Sequence, residues 1–315
     1  MTGNSALLEP GQHFVGALGR LADGRHAPAT AVPLRVTKES GCTKALPKDV
    51  TSGKTVYRTL VSGDLKRTYR LHVPAKASTT SPMPLVLNFH GRTGNGADHE
   101  LSSGLVPVSE RESFLLVSPD GVGTPTGWSA GATPANSVDD VKFASDLLDT
   151  LMREFCLDAS KVYATGFSNG AFMASKLACA LPDRITAIAA VGGVDYLPEG
   201  CAGRVPVLAF HGLSDPIVPA EGGLVRGWQY QGAYNALREW SGTNGCSDTA
   251  TITDLAAGVT MTNYDGCAAA TRLVTIDGAG HVWPGSPVTK TTEPVGSISA
   301  AELIWSFFSA SKRAA

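Results

Sequence analysis

Charge is scarce in this chain. Only 17% of its 315 residues are Asp, Glu, Lys or Arg, and they nearly cancel, to a net charge of −2. An average globular protein carries about a quarter. No basic run is present, which argues against a nucleic-acid partner. No apolar run approaches the roughly 18 residues of a membrane-spanning helix, so no membrane partner is expected. No C-x-x-C pair and no His/Cys cluster with zinc spacing occurs. Met1 to Pro10 shows no basic segment followed by an apolar one, so no signal peptide is visible. Either a leader has been removed and replaced by a new Met, or the protein is intracellular. No internal repeat is found.

What is present is enough for a substantial core: 43% hydrophobic residues in a chain long enough for one large α/β domain. The low charge fits a secreted protein. Six cysteines, Cys42, Cys156, Cys179, Cys201, Cys246 and Cys267, are an even set. They permit three disulfides and an oxidising compartment, and the sequence leaves the pairing open.

Residues 1–40 lack clear periodicity and are rich in Gly, Pro and Ala, which reads as a partly ordered N-terminal extension; one α/β domain then spans 41–315. From Thr55 the pattern is regular. Val56–Val61 and Thr68–Val73 form a strand pair about a Ser62-Gly63-Asp64 turn. Short apolar runs at Leu85–Phe89, Phe114–Ser118, Lys161–Thr165, Ile185–Val191, Val205–Phe210 and Arg272–Ile276 predict buried strands. Helical spacing falls between them, at Val141–Phe155, Ala171–Leu181, Trp228–Ser241 and Ala300–Ser309. Ser137 and Asp139 can cap the first of these helices. Strands alternating with helices imply a mainly parallel sheet covered on both faces.

The most informative stretch is Gly166-Phe167-Ser168-Asn169-Gly170, placed after a predicted strand and before a predicted helix. That context defines the G-x-S-x-G nucleophile elbow. A serine in a strained turn needs neighbours without side chains, and the following helix aims its N-terminus at the serine oxygen. Two more polar groups follow predicted strand ends, where sites of open α/β sheets lie. They are Asp215, in His211-Gly212-Leu213-Ser214-Asp215, and His281, in Gly278-Ala279-Gly280-His281. The order Ser168, Asp215, His281 is that of an α/β-hydrolase triad. A serine hydroxyl needs a base to attack at neutral pH. His281 is that base, and Asp215 holds its tautomer. His211, four residues from Asp215, competes as base but more naturally shapes the loop.

A tetrahedral intermediate needs hydrogen-bond donors for its oxyanion. The N–H of Asn169 is one. The loop His90-Gly91-Arg92-Thr93-Gly94 supplies the other, assigned to Arg92 with Thr93 as runner-up, and His90 orders the loop through its ring nitrogens. Trp128 and Trp283 are candidates for a flat apolar substrate wall. Asp139 and Asp140 read as helix-cap residues rather than catalytic acids.

With these residues in place the chain resembles the secreted esterases of the polyhydroxybutyrate depolymerase (LpqC-like) type and the type C/D feruloyl esterases of carbohydrate esterase family 1. The matching runs are Gly41-Cys42-Thr43-Lys44, Phe89-His90-Gly91, Val138-Asp139-Asp140-Val141-Lys142-Phe143, Val162 to Gly170, Asn244-Gly245-Cys246 and Gly280-His281-Val282-Trp283-Pro284-Gly285. The resemblance implies secretion, a Ser-His-Asp esterase without metal or cofactor, and disulfides pairing Cys246 with Cys267, Cys179 with Cys201, and Cys42 with Cys156. The implied substrate is a feruloyl or acetyl ester on plant polysaccharide. The alternatives are a polyhydroxyalkanoate polyester or its oligomers, and, in a different class, a hydrolase-like fold that only binds a glycan or partner. The arm before Gly41 matches nothing in the family. No carbohydrate- or polymer-binding module follows the catalytic part, which weighs against a solid polymer substrate.

Overall fold

The computed structural model describes residues 11–17, 30–36, 41–131, 136–196, 201, 203–289, 292 and 294–313. Most of the predicted N-terminal extension lies outside the described residues. Within it, β1 (Gly11–Ala17) and β2 (Thr30–Val36) pair antiparallel as a two-stranded sheet of their own.

The rest is built on one ten-stranded sheet. In chain order the elements are β3 (Lys54–Ser62), β4 (Leu65–Val73), β5 (Met83–Phe89), α1 (Gly96–Ser103), α2 (Leu105–Glu112), β6 (Leu115–Pro119), α3 (Asp140–Glu154), β7 (Leu157–Phe167), α4 (Asn169–Ala180), β8 (Ala187–Val191) and β9 (Val207–Gly212). The hairpin β10 (Gly223–Val225) and β11 (Trp228–Tyr230) follows, then α5 (Ala233–Thr243), β12 (Ala250–Ala256), β13 (Val259–Tyr264), β14 (Thr271–Ile276) and α6 (Ala300–Ala310). The spatial order is β12-β13-β14-β9-β8-β7-β5-β6-β4-β3. The central run from β14 to β6 is parallel, and antiparallel pairs close both ends.

Alternation along the strands divides the core. Leu85, Leu87 and Phe89 of β5 face one apolar cluster with Phe143, Leu147 and Leu151 of α3, Phe172 and Leu177 of α4, and Trp240 of α5. Val86 faces the other, with Leu105 and Val108 of α2 and Ile304 and Phe308 of α6. Side chains of successive strand residues point to opposite faces, so near-continuous apolar runs are what a sheet covered twice requires. The predicted strands and helices stand within a few residues of their expected ends, with one correction. The predicted helix from Trp228 begins only at Ala233, because Trp228–Tyr230 pairs with β10 and Gly232 (φ 89°) turns the chain before the helix.

β5 lies between β6 and β7, so the connections leaving β5 and β7 diverge and open a crevice at the carboxyl ends of these strands. The His90 loop and Ser168 stand at that crevice. Three disulfides, Cys42–Cys156, Cys179–Cys201 and Cys246–Cys267, pair the cysteines as the resemblance implied. Among the described residues no helix is long and apolar enough to cross a membrane.

Candidate active site

β7 ends at Phe167 and α4 starts at Asn169, leaving Ser168 alone in the bend at φ 54°, ψ −119°. A non-glycine residue held there costs about 1–3 kcal/mol and persists only where its surroundings impose it. Here they do. The Ser168 N–H donates to the Val191 carbonyl of β8 at 2.8 Å, and the Ser168 carbonyl accepts from Ala171 and Phe172. A Cβ on Gly166 would overlap the Gly170 carbonyl, and one on Gly170 would overlap the Phe89 carbonyl, so both positions need glycine.

Asp215 stands in the turn after β9. Its Oδ1 accepts the N–H groups of Ile217 (2.8 Å) and Val218 (2.9 Å), and its Oδ2 lies 2.6 Å from His281 Nδ1. Burial works to raise the pKa of this carboxyl. The His281 hydrogen bond and the two backbone N–H groups outweigh it and hold the carboxyl below its usual value. The His281 ring packs on Phe167 with centroids 4.7 Å apart. Gly192 (φ 66°) lets both rings approach, since a Cβ there would press on each. His211, the competing base, is buried with Nε2 2.8 Å from the Val218 carbonyl and 3.9 Å from Asp215 Oδ2. It braces the 215–218 turn, and burial lowers its pKa.

His90 is buried at the end of β5. Its Nε2 accepts the Gly121 N–H at 2.8 Å, so Nδ1 carries the proton and donates to the Gly91 carbonyl at 2.6 Å. Burial lowers the pKa of this imidazole and keeps it in that neutral form. The Thr93 N–H is committed to the Thr126 carbonyl at 2.8 Å, which removes the runner-up oxyanion donor. The N–H of Asn169, in the first turn of α4, is outside the helical hydrogen-bond ladder.

Trp128 requires a correction. It is fully buried and does not line the cavity that holds Ser168. Its indole N–H donates to the His90 carbonyl at 2.8 Å, and its backbone N–H donates to Asn169 Oδ1 at 2.7 Å. Beside it, Asp140 accepts the Ser129 N–H at 2.7 Å and pairs with buried Arg67 at 2.8 Å. Trp128 thus ties the His90 loop to the start of α4. Trp283 is corrected likewise: it is 5% exposed, sits in the second apolar cluster and packs edge-on against His99 rather than on the cavity itself. Asp139 caps α3 as expected, accepting the Lys142 N–H at 2.8 Å.

A cavity of about 370 Å³ brings together His90, Arg92, Ser168, Asn169 and His281. Its lining also includes the apolar side chains of Phe172, Ile217, Val218 and Val225, and the polar ones of Asn95, Asp98, His99, Ser102 and Arg226. The sequence reading missed these further lining residues. Phe172, one helical turn after Ser168, was open to inference from spacing alone.

A phospholipase/carboxylesterase family model matches residues 86–227. The chain is 34% identical over 206 residues to the putative esterase NocK of Nocardia uniformis subsp. tsuyamanensis, covering 62% of this chain and 58% of that protein. It is 27% identical over 254 residues to feruloyl esterase C of Emericella nidulans, covering 78% of this chain and 84% of that protein. The chain therefore spans little more than half of NocK. Among solved structures, the acetyl xylan esterase from Aspergillus awamori superposes with a TM-score of 0.57 at 16% identity, over 73% of this chain and 95% of that one. The shared architecture is the α/β-hydrolase fold.

Proposed function

We propose, from an α/β-hydrolase fold with feruloyl esterases among its sequence relatives, that this chain is a serine esterase cleaving carboxylic esters through an acyl-enzyme. The observation that carries the reading is the 2.6 Å hydrogen bond from His281 Nδ1 to a buried Asp215, at a cavity that Ser168 also lines. Asp215 Oδ1 is occupied by two backbone donors, so Oδ2 fixes the proton on Nδ1 and leaves Nε2 as an acceptor. Nε2 then takes the Ser168 proton as Oγ attacks the ester carbon. The oxyanion is met by the N–H of Asn169 and, in this proposal, of Arg92. The imidazolium, stabilised by the Asp215 carboxylate, returns its proton to the departing alkoxide. The alcohol leaves and Ser168 remains acylated. Water repeats the sequence and releases the acid.

The named relatives favour feruloyl or acetyl esters on plant polysaccharide as the substrate class. Phe172, Val218 and Val225 give the cavity apolar lining that suits an aromatic acyl group. Three disulfides support an oxidising, extracellular setting, as for secreted esterases. The test is a panel of initial rates on methyl ferulate, p-nitrophenyl acetate and a hydroxybutyrate oligomer, with the Ser168→Ala variant beside the wild type. The expected result is turnover of the first two that vanishes in the variant. A higher kcat/KM for the oligomer would replace the substrate class with a polyester. No turnover of any ester would leave a binding protein.

A further inference from the structure

The two oxyanion donors come from segments far apart in the chain, the loop after β5 and the first turn of α4. Something must hold them in register, and one residue touches both segments. Trp128 donates its indole N–H to the His90 carbonyl at 2.8 Å and its backbone N–H to Asn169 Oδ1 at 2.7 Å. The contact with Asn169 is returned, since Asn169 Nδ2 donates to the carbonyls of Trp128 and Ala130, each at 3.3 Å. Thr126 grips the other end of the His90 loop. Its carbonyl accepts the Thr93 N–H at 2.8 Å, and its hydroxyl donates to the Gly94 carbonyl at 2.8 Å. Arg92 therefore lies between two residues, His90 and Thr93, that the same short segment fixes. That segment is closed on itself by the Val122–Gly127 pair, with hydrogen bonds of 3.2 and 3.1 Å.

Asn169 is not the residue that helix physics alone would choose. The first turn of a helix favours a carboxylate, which complements the N-terminal dipole, and Asn is a modest helix former. A carboxamide can accept from an N–H and donate to two carbonyls within one planar group. A carboxylate in its place would set a negative oxygen against both carbonyls. Trp128 is fully buried and Asn169 is 6% exposed, so water competes little for these hydrogen bonds. Phe89 packs edge-on against the indole, ring centroids 5.0 Å apart, and holds it in place.

We propose that Trp128 and the Asn169 carboxamide form a clamp that sets the separation of the Asn169 and Arg92 N–H groups, so that both reach one oxyanion. Trp128 does not line the cavity that holds Ser168 and acts through its neighbours, which makes it a positioning residue. The clamp rests on the esterase reading and on the two donors assigned there. A misplacement of about 1 Å costs roughly 10² in rate, and loss of one oxyanion donor costs about 10²–10³.

The experiment compares kcat/KM on p-nitrophenyl acetate and on its thiono analogue, in which sulfur replaces the carbonyl oxygen. Sulfur is larger and a weak acceptor, so the oxyanion donors contribute little to the thiono ester, while the nucleophile and leaving group are the same. Trp128→Phe keeps an aromatic ring against Phe89 and loses the indole N–H. Asn169→Ala keeps the backbone N–H and suits a helix start, but loses the carboxamide. Each variant should lose about 10- to 100-fold on the oxygen ester, and the oxygen-to-sulfur ratio should fall about tenfold from its wild-type value. Equal losses on the two esters would show general damage to the site and overturn the clamp, as would wild-type activity in either folded variant. Melting curves establish folding. If one variant does not fold, the other decides; failure of both would make the pair a support of the fold alone and overturn the clamp. Absence of turnover of either ester by the wild type would instead defeat the esterase reading.

Discussion

Replacing Asp215 with Asn changes one oxygen for an amide nitrogen and nothing in size. Its effect follows from which oxygen is already committed. Oδ1 accepts two backbone N–H groups, at 2.8 and 2.9 Å. An amide nitrogen at that position would set donor against donor, so the carbonyl oxygen of the substituted side chain must face Ile217 and Val218. The NH2 group then faces His281 Nδ1, at the place where a carboxylate oxygen stood 2.6 Å away. A donor there forces Nδ1 to accept, and the ring proton moves to Nε2, the nitrogen needed as base. Reversing this tautomer costs about 10⁴ in kcat, or ~5.5 kcal/mol of barrier at 1.36 kcal/mol per tenfold. The fold should tolerate the change, because both backbone hydrogen bonds survive. The assay is kcat/KM on p-nitrophenyl acetate with a melting curve for the same preparation. A loss smaller than tenfold in a folded Asp215→Asn protein would refute the assigned roles of Asp215 and His281.

Other consequences concern stability and the elbow. Burial raises the Asp195 pKa to about 6 from an ordinary 3.8, against hydrogen bonds from Gln231 and the Tyr196 N–H. A folded-state acid with a raised pKa stabilises less as pH rises from about 4 to 6, so its ionisation costs on the order of 2–3 kcal/mol above pH 6. Asp195→Asn, which keeps both hydrogen bonds on Oδ1, should raise the urea midpoint at pH 7.5 and leave it nearly unchanged at pH 4; an equal effect at both pH values would contradict the assignment. Gly170→Ala should lower the melting temperature and ester turnover together, by about 1–3 kcal/mol in stability, because its Cβ meets the Phe89 carbonyl; full activity in that variant would contradict the packing. Removing Cys42–Cys156, which closes 114 residues, should destabilise more than removing Cys246–Cys267, which closes 21. Loop-closure entropy puts the difference at about 1.5 kcal/mol, measured by urea unfolding of the paired Cys→Ala variants.

The sequence was legible where local pattern and chemistry coincide. The strands β5 and β9 and the second half of β7 are apolar because they are covered on both faces, and the polar residues that follow them stand out for the same reason. The elbow was readable because its two glycines are sterically required. The edge strand β12 was not, since its side chains are almost all exposed and leave no alternation to read. α1 was missed because its buried positions include Gly96, His99, Glu100 and Ser103, which carry no apolar signal. Glu100 is buried because Arg70 reaches it at 2.9 Å, a contact between distant segments. Trp128 illustrates the same limit. A tryptophan in a loop reads as a ligand wall, and only the packed molecule shows its indole N–H turned to the His90 carbonyl.

The central proposal is that the Ser168 hydroxyl carries the acyl group between the two half-reactions. The direct measurement is intact-protein mass spectrometry after rapid quenching of the enzyme with a slowly deacylating p-nitrophenyl ester, followed by peptide mapping. The account predicts one acyl group per chain, on Ser168, formed with a stoichiometric burst of p-nitrophenol and absent from Ser168→Ala. An adduct on another residue, or steady turnover by Ser168→Ala at the wild-type rate, would contradict it.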